Sequence, residues 1–465
     1  MKLDRRIVAL FLSELFVLLL MFKWPAGILV GLFLAFSIIT FDRPEILLSA
    51  FVFTLVLDAI YLPLSDRVIL FPLTRLTISH TNLFFTDIFI SIIVIQNIFY
   101  NIMRNRSILP RNDLSKPFLF FWIISLISLM IGFFFKGYGR SALYEFRIVL
   151  YSLLLPITLN VVSDRRKLDI ILNGFLLGCI PLGLIVLYNL LRTNIIIDLR
   201  YAAATHYASG RQSLFLSFAF IYFLVQSLTG KGKNTLNVIL MSITSLLVVV
   251  SQNRTVYLSL PFGMIILYFL LNKKARTTYW KLLVRFIIIG CLLLLVLNFF
   301  HSGLLIKRIL KSGGGIVKFQ EDLTGTFRLF VWIQEISKIQ KNPWLGEYFG
   351  SSFQFWAPSG ELFKQLDPHN AYITIALKIG LIGLVAFLGI VLTFYRECLK
   401  YLKIIKNHQE QGIILFILVA LADLLVYIGF NAELENTGSG VFIWILIGMG
   451  LFFMSRKPPV SKYKI

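Results

Sequence analysis

The stretch Leu366–Leu388, LDPHNAYITIALKIGLIGLVAFL, decides the fold. After Leu366 and Asp367 come a proline, a histidine and an asparagine, and the stretch then turns into a long apolar run. A helix needs roughly 20 mainly apolar residues to cross the ~30 Å hydrocarbon layer of a bilayer. The run over 371–395 meets that length, and the pattern recurs along the whole chain. Of 465 residues, 58% are hydrophobic and the mean hydropathy is +0.82. A soluble globular domain of this size is less apolar. The expected fold class is all-α: a polytopic membrane protein of about 12–14 transmembrane helices.

The apolar runs fall at 7–22, 27–41, 46–62, 83–103, 118–135, 146–162, 168–191, 213–228, 236–252, 256–271, 282–300, 371–395, 412–430 and 440–454. That gives eleven spans within 1–300, one long external loop over 301–370, and three spans with a cytoplasmic tail over 371–465. The first run has a basic start and an apolar centre, like a signal peptide. No small-residue cleavage site follows it, so it reads as a retained span.

The net charge of +22 points to topology rather than to nucleic acid. The sequence has no basic stripe interleaved with aromatics, so no nucleic-acid partner is expected. Lys and Arg concentrate in MKLDRR, RNRSILPRNDLSK, SDRRK, TGKGKN, NKKARTTYWK, RECLKYLKIIKNHQEQ and the tail SRKPPVSKYKI. Loops rich in Lys and Arg stay in the cytoplasm. With an even number of spans, this puts both termini in the cytoplasm and makes the chain a multi-pass protein of the cytoplasmic (inner) membrane. The opposite loops carry mainly arginine, at positions 67, 75, 140, 147, 192, 200, 211, 254 and 328. Some should pair with carboxylates such as Glu145 or Asp198. Others suit phosphate, which the planar guanidinium binds in a two-pronged manner. Of the three cysteines, Cys179 and Cys291 lie in apolar runs and Cys398 in a basic loop. None has metal-site spacing, and no disulfide framework is expected.

The long outer loop contains TGTFRLFVWIQEISKIQKNPWLGEYFG. Phe327, Phe330, Val331 (or Gln334), Ile336 and Ile339 recur at helical spacing, and NPWLG ends the helix. Arg328, Glu335 and Lys338 interrupt the stripe. The plain expectation is an amphipathic helix on the bilayer surface.

His369 and Asn370 then sit where the long loop returns to the membrane. The bland account is capping: Pro368 shapes the turn, Asn370 caps, and His369 rests among headgroups. The chemical account is that a neutral histidine accepts a proton at near-neutral pH. Arg254, in VVVSQNRTVYLSL, favours the second account, because an arginine near the interface costs a few kcal/mol unless it is paired, snorkelling or facing a polar cavity. A base beside cations on one face suits removal of a sugar from a lipid-linked pyrophosphate.

Three segments, SQNRTVYLSLPFG, GTFRLFVWIQEISKIQKNPWLGEYFGSSF and DPHNAYITIALKIGLIGLVAFL, resemble the O-antigen ligase and polymerase superfamily in order and spacing. The shared signature is a Ser-x-x-Arg hairpin, then Arg-x-x-x-Trp before a Pro-x-x-Gly turn, then His-Asn ahead of an apolar helix. The likeness covers residues 250–390. The family often has Gly after the hairpin arginine, where this chain has Thr255.

The resemblance implies a GT-C-like membrane glycosyltransferase of the inverting kind that needs no metal and no cofactor. The donor would be an undecaprenyl-diphosphate-linked oligosaccharide, used on the outer face of the membrane. His369 would be the catalytic base, with Asn370 supporting it, and Arg254 would hold the donor diphosphate. Arg211 and Arg328 are further candidates for that contact. The outer loops offer no Asp-x-Asp and no cluster with ligand spacing. The acceptor would be a second glycan repeat in a polymerase, towards which the reading leans, or a lipid A core in a ligase. A lipid-linked oligosaccharide flippase is the alternative from another class. It would carry two pseudo-symmetric halves with its site near the midplane, and no repeat is seen.

Overall fold

A computed structural model describes residues 24–57, 76–78, 81–83, 85–105, 107, 113–192, 210–230, 235–251, 253–300, 323–351, 353–356, 362–365, 368–431, 434 and 438–455. The expected span at 7–22 lies outside them.

Each later expected span has its helix: α1 (Trp24–Ile39), α2 (Pro44–Leu57), α3 (Phe85–Met103), α4 (Ser115–Met130), α5 (Arg140–Tyr151) with α6 (Leu154–Val161), α7 (Arg165–Arg192), α8 (Gly210–Thr229), α9 (Thr235–Val250), α10 (Arg254–Leu270) and α11 (Lys273–Phe300). After the long loop's α12 (Leu323–Lys341) come α13 (Ala371–Ile404), α14 (His408–Ile428) and α15 (Ser439–Ser455). Among the described residues, seven helical stretches are long and apolar enough to cross a membrane, and four more apolar helices are shorter. Two small antiparallel hairpins add strand to the expected all-α fold. They pair β1 (Leu76–Ile78) with β2 (Thr81–Leu83), and β3 (Phe353–Trp356) with β4 (Leu362–Gln365).

In a bilayer, apolar side chains face both lipid and core, so apolarity alone does not separate the two faces. Here α14 and α15 are buried along nearly their whole length and form the centre of the bundle. Lipid-facing stripes repeat at helical spacing elsewhere. Examples are Leu258, Phe262, Ile265 and Phe269 on α10, and Val385 and Leu392 on α13.

Three departures from the sequence reading have clear causes. The expected span at 146–162 is two helices, α5 and α6, joined by a turn in which the Ser152 amide bonds the Val149 carbonyl. The twelfth span runs on to Ile404, so Cys398 lies buried on a helix and not in a basic loop. On α12 the buried positions are Val331, Glu335 and Ile339, one turn apart, whereas Ile336 points outward. Glu335 interrupts the apolar stripe in sequence, yet it belongs to the docked face. Ile339 packs with Ala376 and Leu377 of α13, so that face covers protein.

The main irregularity is inside α13. Gly380 has φ 71° and ψ 178°, which splits the helix into a short segment, 371–379, and a long one. A backbone break at membrane depth must have its freed polar groups satisfied. Residues 343–351, the turn after α12, fill that role. The Leu381 amide bonds the Pro343 carbonyl at 2.8 Å, and the Glu347 amide bonds the Leu377 carbonyl at 2.6 Å. The approach is so close that a β-carbon on Gly380 would stand 1.9 Å from the Trp344 carbonyl oxygen. The same turn lies on α4 where that helix widens into a single π turn, Ile131–Phe135. Gly132 in that turn leaves room for the Phe349 carbonyl.

Candidate functional site

His369 stands just before α13, with φ 55°. Left-handed backbone is uncommon for non-glycine residues, although histidine is among those enriched there. Two neighbours fix it. Asn370 has its side-chain oxygen committed to the amides of Tyr372 and Ile373, at 3.0 and 3.1 Å. Asn370 is therefore the helix cap that the bland account expected. On the other side, the Trp332 indole donates to the Pro368 carbonyl at 2.8 Å and so joins α12 to the turn. Trp332 also packs on Phe430, beyond the end of α14, with the rings tilted and their centroids 6.1 Å apart.

Arg328 lies one helical turn before Trp332, and its charge acts on His369. His369 titrates below the ordinary imidazole value, first because it is partly buried and second because the Arg328 guanidinium faces it. Both causes disfavour a second positive charge. The neutral, proton-accepting imidazole is thus the resting form near neutral pH.

Arg211 and Arg254 occupy the same end of the bundle, as the packing below them establishes. Deep between helices, Ser217 of α8 donates to Asp423 Oδ2 of α14 at 2.6 Å. Ser259 of α10 lies beside the same carboxyl. Arg211 precedes Ser217 by six residues and Arg254 precedes Ser259 by five. At about 1.5 Å per residue both stand roughly 7–9 Å above Asp423. Phe430, on Trp332, is seven residues past Asp423 in the same direction. Tyr372 adds a direct tie, its hydroxyl donating to the Leu425 carbonyl at 2.7 Å.

Arg254 opens α10, capped by Asn253, whose side chain accepts from the Val256 amide. Arg211 packs against the start of α15, where a β-carbon on Gly438 would meet its Cδ at 3.3 Å. The structure therefore brings Arg328 to His369 and sets Arg211 and Arg254 at the same end on neighbouring helices. The N-termini of α8, α10, α13 and α15 open at that end too, and each adds partial positive charge. The arrangement suits an anion of several charges beside a neutral base. Among the described residues, no three His, Cys, Asp or Glu side chains converge as a metal site would require.

The other arginines expected on the outer side behave variously. Arg147 is buried, stacks on Tyr144 at 3.3 Å and lies 3.7 Å from Asp87. Arg67, Arg75 and Arg200 fall outside the described residues. Glu145 does not pair with an arginine as expected. It pairs with Lys378 of α13, at 2.9 Å. The sequence reading missed Lys378 and Asp423, yet a signal for both was present: each is a charge type inside an apolar run, where a charge is costly unless it has a purpose or a partner.

Comparison with known proteins bears on these residues. Residues 236–388 match the family model described as O-antigen ligase. The match takes in Arg254, Arg328 and His369 and leaves out Arg211. Two curated relatives are proteins named as polysaccharide ligases. One, from Rickettsia conorii, is 27% identical over 50% of this chain and 54% of its own length. The other, from Rickettsia felis, is 28% identical over 40% of this chain and 44% of its own. The chain thus spans about half the length of the curated relatives it matches. These findings support placement in the O-antigen ligase superfamily, and the apolar helices make the chain a multi-pass membrane protein.

Proposed function

We propose that this protein is a membrane glycosyltransferase that moves a glycan from a polyprenyl diphosphate, of the undecaprenyl type, to an acceptor hydroxyl at the outer face of the cytoplasmic membrane. The observation that carries this reading is the seating of His369 in a turn capped by Asn370 and tied to α12 by Trp332, at the end of the bundle where Arg211, Arg254 and Arg328 lie. In the reaction, the acceptor oxygen bonds the anomeric carbon and His369 takes its proton. The bond from that carbon to the phosphate oxygen breaks, and the diphosphate leaves with the electron pair. Arg254 holds the diphosphate, with Arg211 and Arg328 as further contacts. Cations aimed at the leaving group act where charge develops. The attack inverts the anomeric centre, and the residues present suit a metal-independent mechanism.

The acceptor separates two products. A second lipid-linked repeat would make the enzyme a polymerase, and a lipid A core would make it a ligase. The names of the matched relatives weigh towards the ligase. Purified protein is incubated with a lipid-linked repeat unit, with and without a lipid A core acceptor, and the products are run on a gel. A single shifted acceptor identifies a ligase and a ladder identifies a polymerase. No product in either arm rejects the transferase and returns the chain to the flippase reading.

A further inference from the structure

We propose that Glu145 and Lys378 are positioning residues for His369, their buried ion pair clamping the short helical segment 371–379 that carries the histidine at its start. The inference rests on the reading of His369 as the base.

Both side chains are only 1% exposed. The Lys378 ammonium donates to Glu145 Oε1 at 2.9 Å, to the Ser351 carbonyl at 2.5 Å and to Ser351 Oγ at 3.2 Å. Its three protons are therefore all used. Glu145 also accepts from the Gly350 amide at 2.5 Å. The Lys378 carbonyl, freed by the break at Gly380, accepts from Ser128 Oγ at 2.6 Å. One lysine thus ties together α4, α5, the 343–351 turn and α13.

The break explains why such a clamp matters. In a continuous helix the long membrane segment would fix the rotation and depth of everything before it. At Gly380 that control is lost, and 371–379 needs its own anchors. Asn370, Trp332 and Tyr372 hold its first turn, and Lys378 holds its last. Apolar packing alone would tolerate rotation or sliding of so short a segment. A charge pair with fixed donors and acceptors specifies a single seating, the best-attested use of buried polar groups. The same 343–351 turn continues from α12, which bears Arg328, so the clamp holds His369 and Arg328 to one frame.

The test uses full-length protein in nanodiscs with isotope-labelled histidine. The His369 resonance is assigned by its loss in His369→Gln and followed in a pH titration. The double variant Glu145→Gln/Lys378→Met removes both charges at nearly constant volume, so neither charge is left buried alone. Expected is a protein with wild-type elution and thermal midpoint whose His369 titrates closer to a free imidazole. Its kcat should fall at least tenfold with the donor KM unchanged. Wild-type titration and wild-type kcat in the folded double variant overturn the proposal. Ser351→Ala removes one ammonium acceptor and keeps both charges, and it guards against misfolding of the double variant. It should shift the titration in the same direction by less, and an unmoved resonance there also counts against the clamp. Full turnover in His369→Gln rejects the base reading instead, and the histidine titration tells the two failures apart.

Discussion

The Trp332 indole nitrogen donates to the Pro368 carbonyl across 36 residues of sequence, at 2.8 Å. That bond closes the loop between α12 and α13 and brings Arg328 to His369. If the contact serves the chemistry, Trp332→Phe keeps the packing on Phe430 and loses only the donor. Turnover should drop about fivefold, because a net hydrogen bond is worth about 1 kcal/mol and the residue acts by placement. Wild-type kinetics in a well-expressed Trp332→Phe would mean the turn holds its shape without the bond.

His369→Ala should lower turnover by ~10²–10⁴, the usual range for a general base. The chain-length distribution of surface glycan in cells, with expression checked by blot, measures it. Normal glycan from the variant would reduce His369 to a residue of the capping turn.

The pH dependence follows from what faces His369. Burial first and Arg328 second hold its pKa below the ordinary imidazole value. The base stays neutral below pH ~6.5, and turnover falls only as pH drops through the depressed value. The linkage to stability has the same sign. The unfolded chain takes up this proton at the higher pH, so the group's contribution is complete above the ordinary value and is lost as pH falls towards the folded one. Arg328→Gln removes one of the two causes and should move the acidic limb of the rate profile to higher pH. A limb that stays in place would show that another group sets it.

Arg254→Lys should be nearly as harmful as Arg254→Ala, since an ammonium keeps the charge but lacks the fork that grips a diphosphate. If lysine restores normal surface glycan, the diphosphate contact passes to Arg211 or Arg328.

The membrane orientation is open to direct labelling. In a Cys291→Ser background, a cysteine at the exposed Ser337 of α12 should react with an impermeant thiol reagent in spheroplasts, and one at the exposed Lys406 should not. The reverse pattern would put the His369 end of the bundle in the cytoplasm.

Much of the architecture was legible in the sequence because a bilayer enforces one rule: a spanning segment must be long, apolar and helical. From 27–41 onward, every apolar run found its helix within the described residues. The candidate residues were legible for a related reason, since Arg254, Arg328 and His369 stand out against apolar surroundings. The break at Gly380 was not legible. Glycine is common in membrane helices and gives no sign of its torsion angles until the Trp344 carbonyl is seen beside it. The roles of Glu335 and Glu145 were hidden as well, because each is decided by a partner or a face far away in sequence. The extension of α13 to Ile404 looks like loop in the sequence because its basic residues follow the topology rule whether or not the backbone stays helical.

The clamp between α5 and α13 also has a consequence for biogenesis. Lys378 must enter the bilayer within an apolar helix, and at the centre of an inserting helix a lysine costs roughly 2.5–3.5 kcal/mol. Its counter-charge, Glu145, is synthesised more than two hundred residues earlier. The early helices are therefore made before the late one arrives at the translocon, and Glu145 is there for Lys378 to pair with. The stretch that matches the family model, 236–388, contains the lysine but not the glutamate. Expressed alone, that stretch would carry its candidate site into the membrane on a helix that has lost the reason for its seating.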